Sequence, residues 1–378
     1  MYYWIAAAGL SLAIWIYLYF WHGDFWRIPT MRTCHLRPQR VVVAVIPARN
    51  EADVIGAAVA SLLTQYFVDP LHIVLVDDGS TDGTGEAARL AARELGREQN
   101  LTILTGTPLP AGWTGKLWAV SQGTQEALKH QPDYLLFADA DIQHDAGHAA
   151  ELIAKAEADE LDLVSHMVLL STSNRAERAL IPAFVYFFLQ LYPPQWIASA
   201  EHQTAGAAGG CILLRPQALE RIGGHAAIRS EIIDDCALAR AVKESGGKIW
   251  LDLTDKTRSI RPYSDASEIG RMISRSAFNQ LHHSTLLLIG TLFGLAITYV
   301  VPVAALLSGS WIAAILGLAA WFLMSKTYEP MIRFYGLRRR WAVGLPLIAI
   351  FYAGATFHSA IQYWRGKGGV WKGRVQDA

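Results

Sequence analysis

The sequence predicts an α/β domain, a mixed sheet flanked by helices, set between transmembrane helices at the two ends of the chain. Three observations carry that expectation. Trp4 to Trp21 is an uninterrupted apolar and aromatic run, close to the ~20 residues that a helix needs to cross a bilayer core. Val41–Ile46 and His72–Val76 are short apolar runs rich in β-branched residues, the pattern of strands buried on both faces. Leu135-Leu136-Phe137-Ala138 is a further apolar run, and it ends in two carboxylates, Asp139 and Asp141, spaced i, i+2.

Composition narrows the class. Of 378 residues, 52% are hydrophobic and 17% charged, too apolar for one ordinary soluble domain, and the excess lies at the ends. Lys+Arg and Asp+Glu balance at 33 each, which argues against the basic face of a nucleic-acid binder. Cys34, Cys211 and Cys236 lie far apart with no CxxC or Cys/His ligand spacing, so neither a disulfide framework nor a zinc site is expected.

Taken in order, residues 1–22 read as an anchor rather than a signal peptide. No basic n-region precedes the apolar run and no small-residue cleavage site follows it. Arg27, Arg32, Arg37 and Arg40 come next and put the following segment in the cytoplasm by the positive-inside rule. The strand Val41–Ile46 is then broken by Pro47-Ala48-Arg49-Asn50-Glu51, a helix is expected from about Asp53 to Gln65, and the strand His72–Val76 ends in Asp77-Asp78-Gly79-Ser80-Thr81-Asp82-Gly83-Thr84. This is a βαβ unit, and ligands of such units bind beyond the carboxyl ends of the strands. Asp77 or Asp78 offers an acceptor to a nucleotide base or ribose, while Ser80, Thr81 and Asp82 suit a helix cap.

After a strand at Leu101–Leu104, the loop Leu109–Ala119 delivers Lys116, behind Gly115, to the start of a helix. Helix-terminal amides and one ammonium favour an anion such as a diphosphate. The GxxxxGK[ST] spacing of a Walker A loop is absent, and no GxGxxG follows the first strand, which weakens NAD binding. Asp139 and Asp141 at a strand end would share one face. Such a pair suits a divalent cation, Mg²⁺ or Mn²⁺, that keeps phosphate oxygens and waters as its other ligands. A turn after the strand accounts for the same residues without a ligand.

Val45–Glu51, Val76–Ser80, Gly115-Lys116 and Asp139–Asp141, in this order and spacing, resemble a family-2 inverting glycosyltransferase of the GT-A, Rossmann-like fold over roughly residues 41–280. The Leu109–Ala119 stretch, the anchor and the hydrophobic C-terminal third are most similar to the hopanoid-biosynthesis-associated glycosyltransferases, with ceramide glucosyltransferases more distant. The resemblance implies a nucleotide diphosphate sugar as donor, a UDP-sugar by expectation. It implies that Pro47, Arg49, Glu51 and Asp77 line the nucleotide, with Asp78, Lys116 and Asp139 contributing, and that Asp141 binds the metal with Asp139 beside it.

Farther along, the Gly206–Cys211 loop is made of small residues that allow backbone to approach a substrate. Many family-2 enzymes carry Glu-Asp where this chain has Asp234-Asp235, the Asp being the general base. By that match Asp235 is the base and Asp234 replaces the Glu. A carboxylate within hydrogen-bond reach can take the proton of an acceptor hydroxyl, while an acidic first turn that complements a helix dipole is the structural alternative. Related membrane-bound enzymes place Gln-x-x-Arg-Trp near Arg271 and Arg275, and this chain departs from that pattern. The two arginines are left as membrane-flank cations or as ligands of the leaving diphosphate.

The apolar stretch 179–192 is short for a span and followed by Pro193-Pro194, so an interfacial or core segment is expected. In the region 284–364, Ser284–Leu307 and Val343–Trp364 are long enough to span, and Trp311–Met324 is short unless it extends past Lys326. Arg333, Arg338, Arg339 and Arg340 suggest a cytoplasmic loop. Arg365, Lys367, Lys372 and Arg374, in a basic tail at 365–378, then oppose a third crossing and leave room for a re-entrant segment. The reading that results is a multi-pass enzyme of the cytoplasmic (inner) membrane, its central domain facing the cytoplasm, that moves a sugar onto a lipid hydroxyl of hopanoid type. A polyprenyl-phosphate glycosyltransferase and a non-catalytic sugar-nucleotide-binding membrane protein are the alternatives.

Overall fold

The computed structural model describes residues 2–28, 39–67, 71–366, 370–371 and 374–375. Arg32, Cys34, Arg37, Lys367 and Lys372 lie outside the described residues. The chain divides into two compact units. One comprises Pro29–Ser171, Trp196–Pro262 and Val370–Ala378, the other Met1–Ile28, Thr172–Gln195 and Tyr263–Gly369.

In the first unit the strands are β1 (Val42–Ala48), β2 (His72–Asp77), β3 (Leu101–Thr105), β4 (Tyr134–Ala138), β5 (Ile142–His144), β6 (Leu163–Leu169), β7 (Cys211–Leu214) and β8 (Ile249–Ser259). They form one eight-stranded mixed sheet in the order β3-β2-β1-β4-β7-β6-β8-β5. Every residue of β1 is buried, as its β-branched run requires of a central strand. β2 and β4 both pair with it in parallel, with Ala48 opposite Asp77 and Val45 opposite Phe137. Pro47 is tolerated inside β1 because the ladder to β4 has already ended at Val45 and the missing N–H costs no bond there.

The strand order runs outward to both sides of β1, so the β1/β4 border is a topological switch point, where a crevice opens beyond the strand ends. β6 and β8 run in the same direction as β1, and β7 runs against it. The residues after β1, β2, β4 and β8 and those before β7 therefore share one rim of the sheet. The helices Ala52–Leu63, Thr84–Glu94, Gly115–Leu128 and His148–Ala158 follow β1, β2, β3 and β5. Gly123, in Gly115–Leu128, lets that helix approach closely: a Cβ there would stand 2.6 Å from Val45 Cγ1 and 2.8 Å from Val76 Cγ2.

The second unit is helical. Tyr2–Phe20, Thr285–Leu307, Trp311–Phe334 and Arg339–Trp364 are each long and apolar enough to cross a membrane. The third runs on past Lys326 to Phe334, the extension that the sequence left open as the condition for a span. Lys326, Glu329 and Arg333 pair along its last turns, so the charges there compensate one another instead of ending the helix. Residues 179–191 lie in the helix Arg175–Leu191, with Tyr192 as its C-cap; the helix starts with an Asn174/Glu177 capping box and buries Leu180, Ile181, Val185, Tyr186 and Leu189. Tyr186 shares a 2.7 Å hydrogen bond with Thr327 Oγ1, and Tyr352 donates to the Leu180 carbonyl at 2.8 Å. Buried partners on two candidate spans make this segment part of the helical core. Residues 263–280, which the sequence grouped with the central domain, also fall in this unit. There Arg271 and Arg275 are exposed at the end of the helix Ala266–Ser274, and Arg271 bonds Ser267 Oγ at 3.0 Å.

Candidate active site

Two loops on the rim of the sheet lock together. The amide of Asn50, held at φ +52°, donates to Ser80 Oγ at 3.0 Å, and Thr81 N donates back to Asn50 Oδ1 at 2.9 Å. Glu51 N donates to Thr84 Oγ1 and Ala52 N to Asp82 Oδ2, so the polar run after β2 caps the helix after β1. Ser80 N donates to Asp77 Oδ1 at 2.8 Å. Arg49 reaches both the backbone carbonyl and the carboxylate of Asp78. Asp78 is 3% exposed, so of the two acids proposed for base or ribose contact Asp77 is the accessible one. Asp78 works from behind, orienting Arg49.

The acids after β4 part company. The strand ends at Ala138, and Asp139 and Asp141 stand in the turn to β5, closed by Ile142 N donating to the Asp139 carbonyl at 3.2 Å. They do not share a strand face as the i, i+2 spacing implied, because that rule holds only while the strand continues. Asp139 pairs with Lys116 at 3.0 Å. Asp141 accepts from Ser259 Oγ at 2.7 Å and faces Arg261 Nε at 3.9 Å. Arg261 also pairs with Glu51. The sequence reading missed Arg261. Its signal is its place just past the carboxyl end of a long strand that ends on this rim.

Lys116 sits where the sequence put it, at the start of Gly115–Leu128, and it joins three carboxylates. Besides Asp139, it is 3.3 Å from Asp234 Oδ2. Burial alone would lower its pKa, but Asp139, Asp234 and Asp235 outweigh that and hold it above the usual lysine value. Asp234 opens the helix Asp234–Glu244. Asp235 accepts from Gly209 N on Oδ2 and from Cys236 N on Oδ1, both at 2.8 Å, which fixes the carboxylate plane. Burial, reinforced by Asp234 and opposed by Lys116 and the two amides, pushes its pKa up to about 6. This is a carboxylate that is ionised at neutral pH and still basic, the range that suits proton abstraction.

Gly209 has no substitute at this point. A Cβ on it would lie 3.2 Å from Asp235 Oδ2 and 3.3 Å from Lys116 Nζ. Gly209→Ala is therefore expected to displace both groups by a few tenths of an ångström and lower the turnover of any reaction at this site by about tenfold or more, since misplacement by 1 Å can cost about 10²-fold. Steady-state kinetics with circular dichroism as a folding control would check this, and an unchanged kcat would separate the glycine from the chemistry.

Pro47, Lys116, Asp139, Gly209, Asp234 and Asp235 line one cleft, with Phe137 and His225 in its wall. His225, also missed in the sequence, is buried against Thr124 Oγ1 at 3.1 Å, and burial holds its pKa down at about 4. It is therefore neutral at pH 7.

Cys211 has no Cys/His partner nearby in sequence, yet β5, the helix His148–Ala158 and β7 bring it to His144 and His148.

Comparison with known proteins relates part of this chain to a family. Residues 43–223 match the family described as Glycosyl transferase family 2. A 4,4'-diaponeurosporenoate glycosyltransferase of Staphylococcus aureus is 33% identical over 104 residues, 27% of this chain and 24% of its own length. A glucosyl-3-phosphoglycerate synthase of Mycolicibacterium paratuberculosis is 30% identical over 128 residues, 32% of this chain and 34% of its own length. The chain thus spans about a quarter to a third of the curated relatives it matches. Among solved structures, a mannosyltransferase of Pyrobaculum calidifontis in complex with GDP-Man and Mn²⁺ superposes with a TM-score of 0.59 at 19% identity, covering 96% of this chain and 99% of that one. The likeness supports the GT-A fold expected for the central sheet. Residues 43–223, which include the β1/β4 switch point and the loops after β1, β2 and β4, are the part of this chain that is similar to glycosyltransferase family 2.

Proposed function

We propose that this protein is a membrane-bound inverting glycosyltransferase that moves a sugar from a nucleotide diphosphate sugar to a hydroxyl of a membrane lipid, a hopanoid or a related polycyclic or sphingoid lipid. The observation that carries the reading is the Asp235 carboxylate, held by the Gly209 and Cys236 amides in a cleft where Lys116 stands among acids. In this reading Pro47, Arg49, Glu51 and Asp77 receive the nucleotide, and a UDP-sugar is the first donor to test, with a GDP-sugar as its control.

In this reading Asp139 and Asp141 are the carboxylates that would hold a divalent cation. Both are partly exposed carboxylates, 36% and 21% for the side chains, and Ser259 already orients Asp141. Mg²⁺ or Mn²⁺ commonly takes one or two carboxylates and completes its shell with substrate phosphates and water. A bound ion would supply charge to the departing diphosphate. The chain's own part is the rest. Lys116 offers a cation where negative charge grows on the leaving group. Asp235 takes the hydroxyl proton as the acceptor oxygen bonds to the anomeric carbon and the carbon–phosphate oxygen bond breaks on the opposite face, which inverts that carbon.

Among the described residues, four helices able to cross a membrane support placement in the cytoplasmic membrane. Arg27 and Arg40 after the first of them favour a central domain on the cytoplasmic side. With purified protein in detergent, donor binding is expected to be tighter in Mg²⁺ or Mn²⁺ than in EDTA, and Asp141→Ala is expected to abolish the difference. A metal response that survives in the variant would remove Asp141 from the site.

A further inference from the structure

We propose that the buried cluster His144, His148 and Cys211 is a metal site that holds one Zn²⁺ and staples the core of the family 2 domain. One ring nitrogen from each histidine and the cysteine sulfur all lie within 4.8 Å of one another. The three residues come from different elements, β5, the helix His148–Ala158 and β7. Two imidazoles and a thiol are the donor set of zinc and other borderline-soft ions, not of Mg²⁺ or Ca²⁺.

The ring geometry agrees. His144 Nδ1 and His148 Nδ1 are 3.1 Å apart, near the ~3.3 Å that two nitrogens acquire when a tetrahedral zinc holds each at about 2.0–2.1 Å. The other nitrogen of His148, Nε2, is 2.7 Å from His166 Nδ1. A partner on the far nitrogen fixes the ring and its tautomer, as ligating histidines require. His144 Nε2 is buried with no hydrogen-bond partner among the described residues, so of the two rings only that of His148 has its far nitrogen fixed. Exposure is 4% at His144, 1% at His166 and 0% at His148 and Cys211. Such a site fills as the chain folds, and binding releases the Cys211 thiol proton to solvent.

The cluster's place in the chain gives it a consequence. His144 comes three residues after Asp141, and Cys211 two after Gly209. An ion there would tie together the two strands whose loops carry the acidic turn and the amide that holds Asp235. This inference is independent of donor and acceptor identity.

The test is metal content of the full chain in detergent, expressed with zinc and dialysed against EDTA to strip exposed sites. About one zinc per chain is expected in the wild type and in Asp141→Ala, and about a tenth or less in Cys211→Ser. Cobalt-grown wild type is expected to show a near-ultraviolet thiolate-to-cobalt charge-transfer band. That readout decides the matter even if the cysteine variant does not fold. Folded wild-type protein with neither zinc nor the cobalt band would overturn the proposal and leave a neutral histidine hydrogen-bond chain. Full zinc retention in Cys211→Ser would overturn it as well.

Discussion

Replacing Asp235 by Asn is expected to leave donor affinity intact and to cut transfer to a neutral hydroxyl by roughly 10²–10⁴-fold. The amide keeps the size of the side chain and its one oxygen can still accept from Gly209 N, while its NH2 group cannot accept from Cys236 N. It loses the basic oxygen. In the wild type the same group sets two pH dependences of opposite sign. Its pKa is pushed up to about 6 in the folded protein, against about 3.9 unfolded. Transfer needs the ionised form, so kcat/KM is expected to fall about tenfold per pH unit below about 6 and to level off above it. The folded state binds this proton more tightly than the unfolded state. The stability contribution is therefore full below about pH 4 and lost as the pH rises through about 6. Rate and melting profiles over pH 4–8 would check both, and a variant with near wild-type transfer would reduce Asp235 to a helix-start residue.

Lys116→Met should do comparable damage by another route. Lys116 faces Asp139 and Asp234 directly and opposes the upward shift of Asp235. Without it, three carboxylates share a cleft with no ammonium. Donor binding is expected to weaken and kcat to fall by about 10²–10³-fold, the range seen when one preorganised charge-stabilising group is removed. Removing the ammonium from these half-buried pairs also destabilises the fold, by less than the ~3–5 kcal/mol of a fully buried pair. That loss should be largest at pH 8 and smaller at pH 5, where the unpartnered acids can protonate. Lys116→Arg is not expected to restore activity, because a planar fork cannot stand as a point charge between Asp139 and Asp234. Melting curves at the two pH values separate this from simple misfolding, which would lower stability equally at both.

How much of this was legible in the sequence follows from the range of each signal. β1, β2 and the helix between them could be read because a run of Val, Ile and Leu broken by Pro47 or by Asp77-Asp78 is a local pattern. Lys116 at a helix start and Asp235 at the head of Asp234–Glu244 were local in the same way. The turn at Asp139–Asp141 was legible only as one of two readings, because Asp suits both a strand end that holds a cation and a turn. Arg261 and Ser259 became visible only when β8 set them on the rim beside an acid 118 residues earlier in the chain. The amide of Gly209 that holds Asp235, and the meeting of Cys211 with His144 and His148, are likewise products of strand order. Periodicity carries no information about strand order across the β4-β7-β6 part of the sheet. The placement of 172–195 with the apolar helices depends on Tyr186 and Tyr352 finding partners, which hydropathy does not report.

Transfer of one sugar to a neutral membrane lipid can be read by mass spectrometry of lipid extracts from cells with and without this protein, including cells that carry only Asp235→Asn. A lipid enlarged by a single hexose-type residue is expected with the wild type and is expected to be lost with the variant. A change confined to polyprenyl-phosphate sugars or to long polymer would contradict the neutral-lipid acceptor.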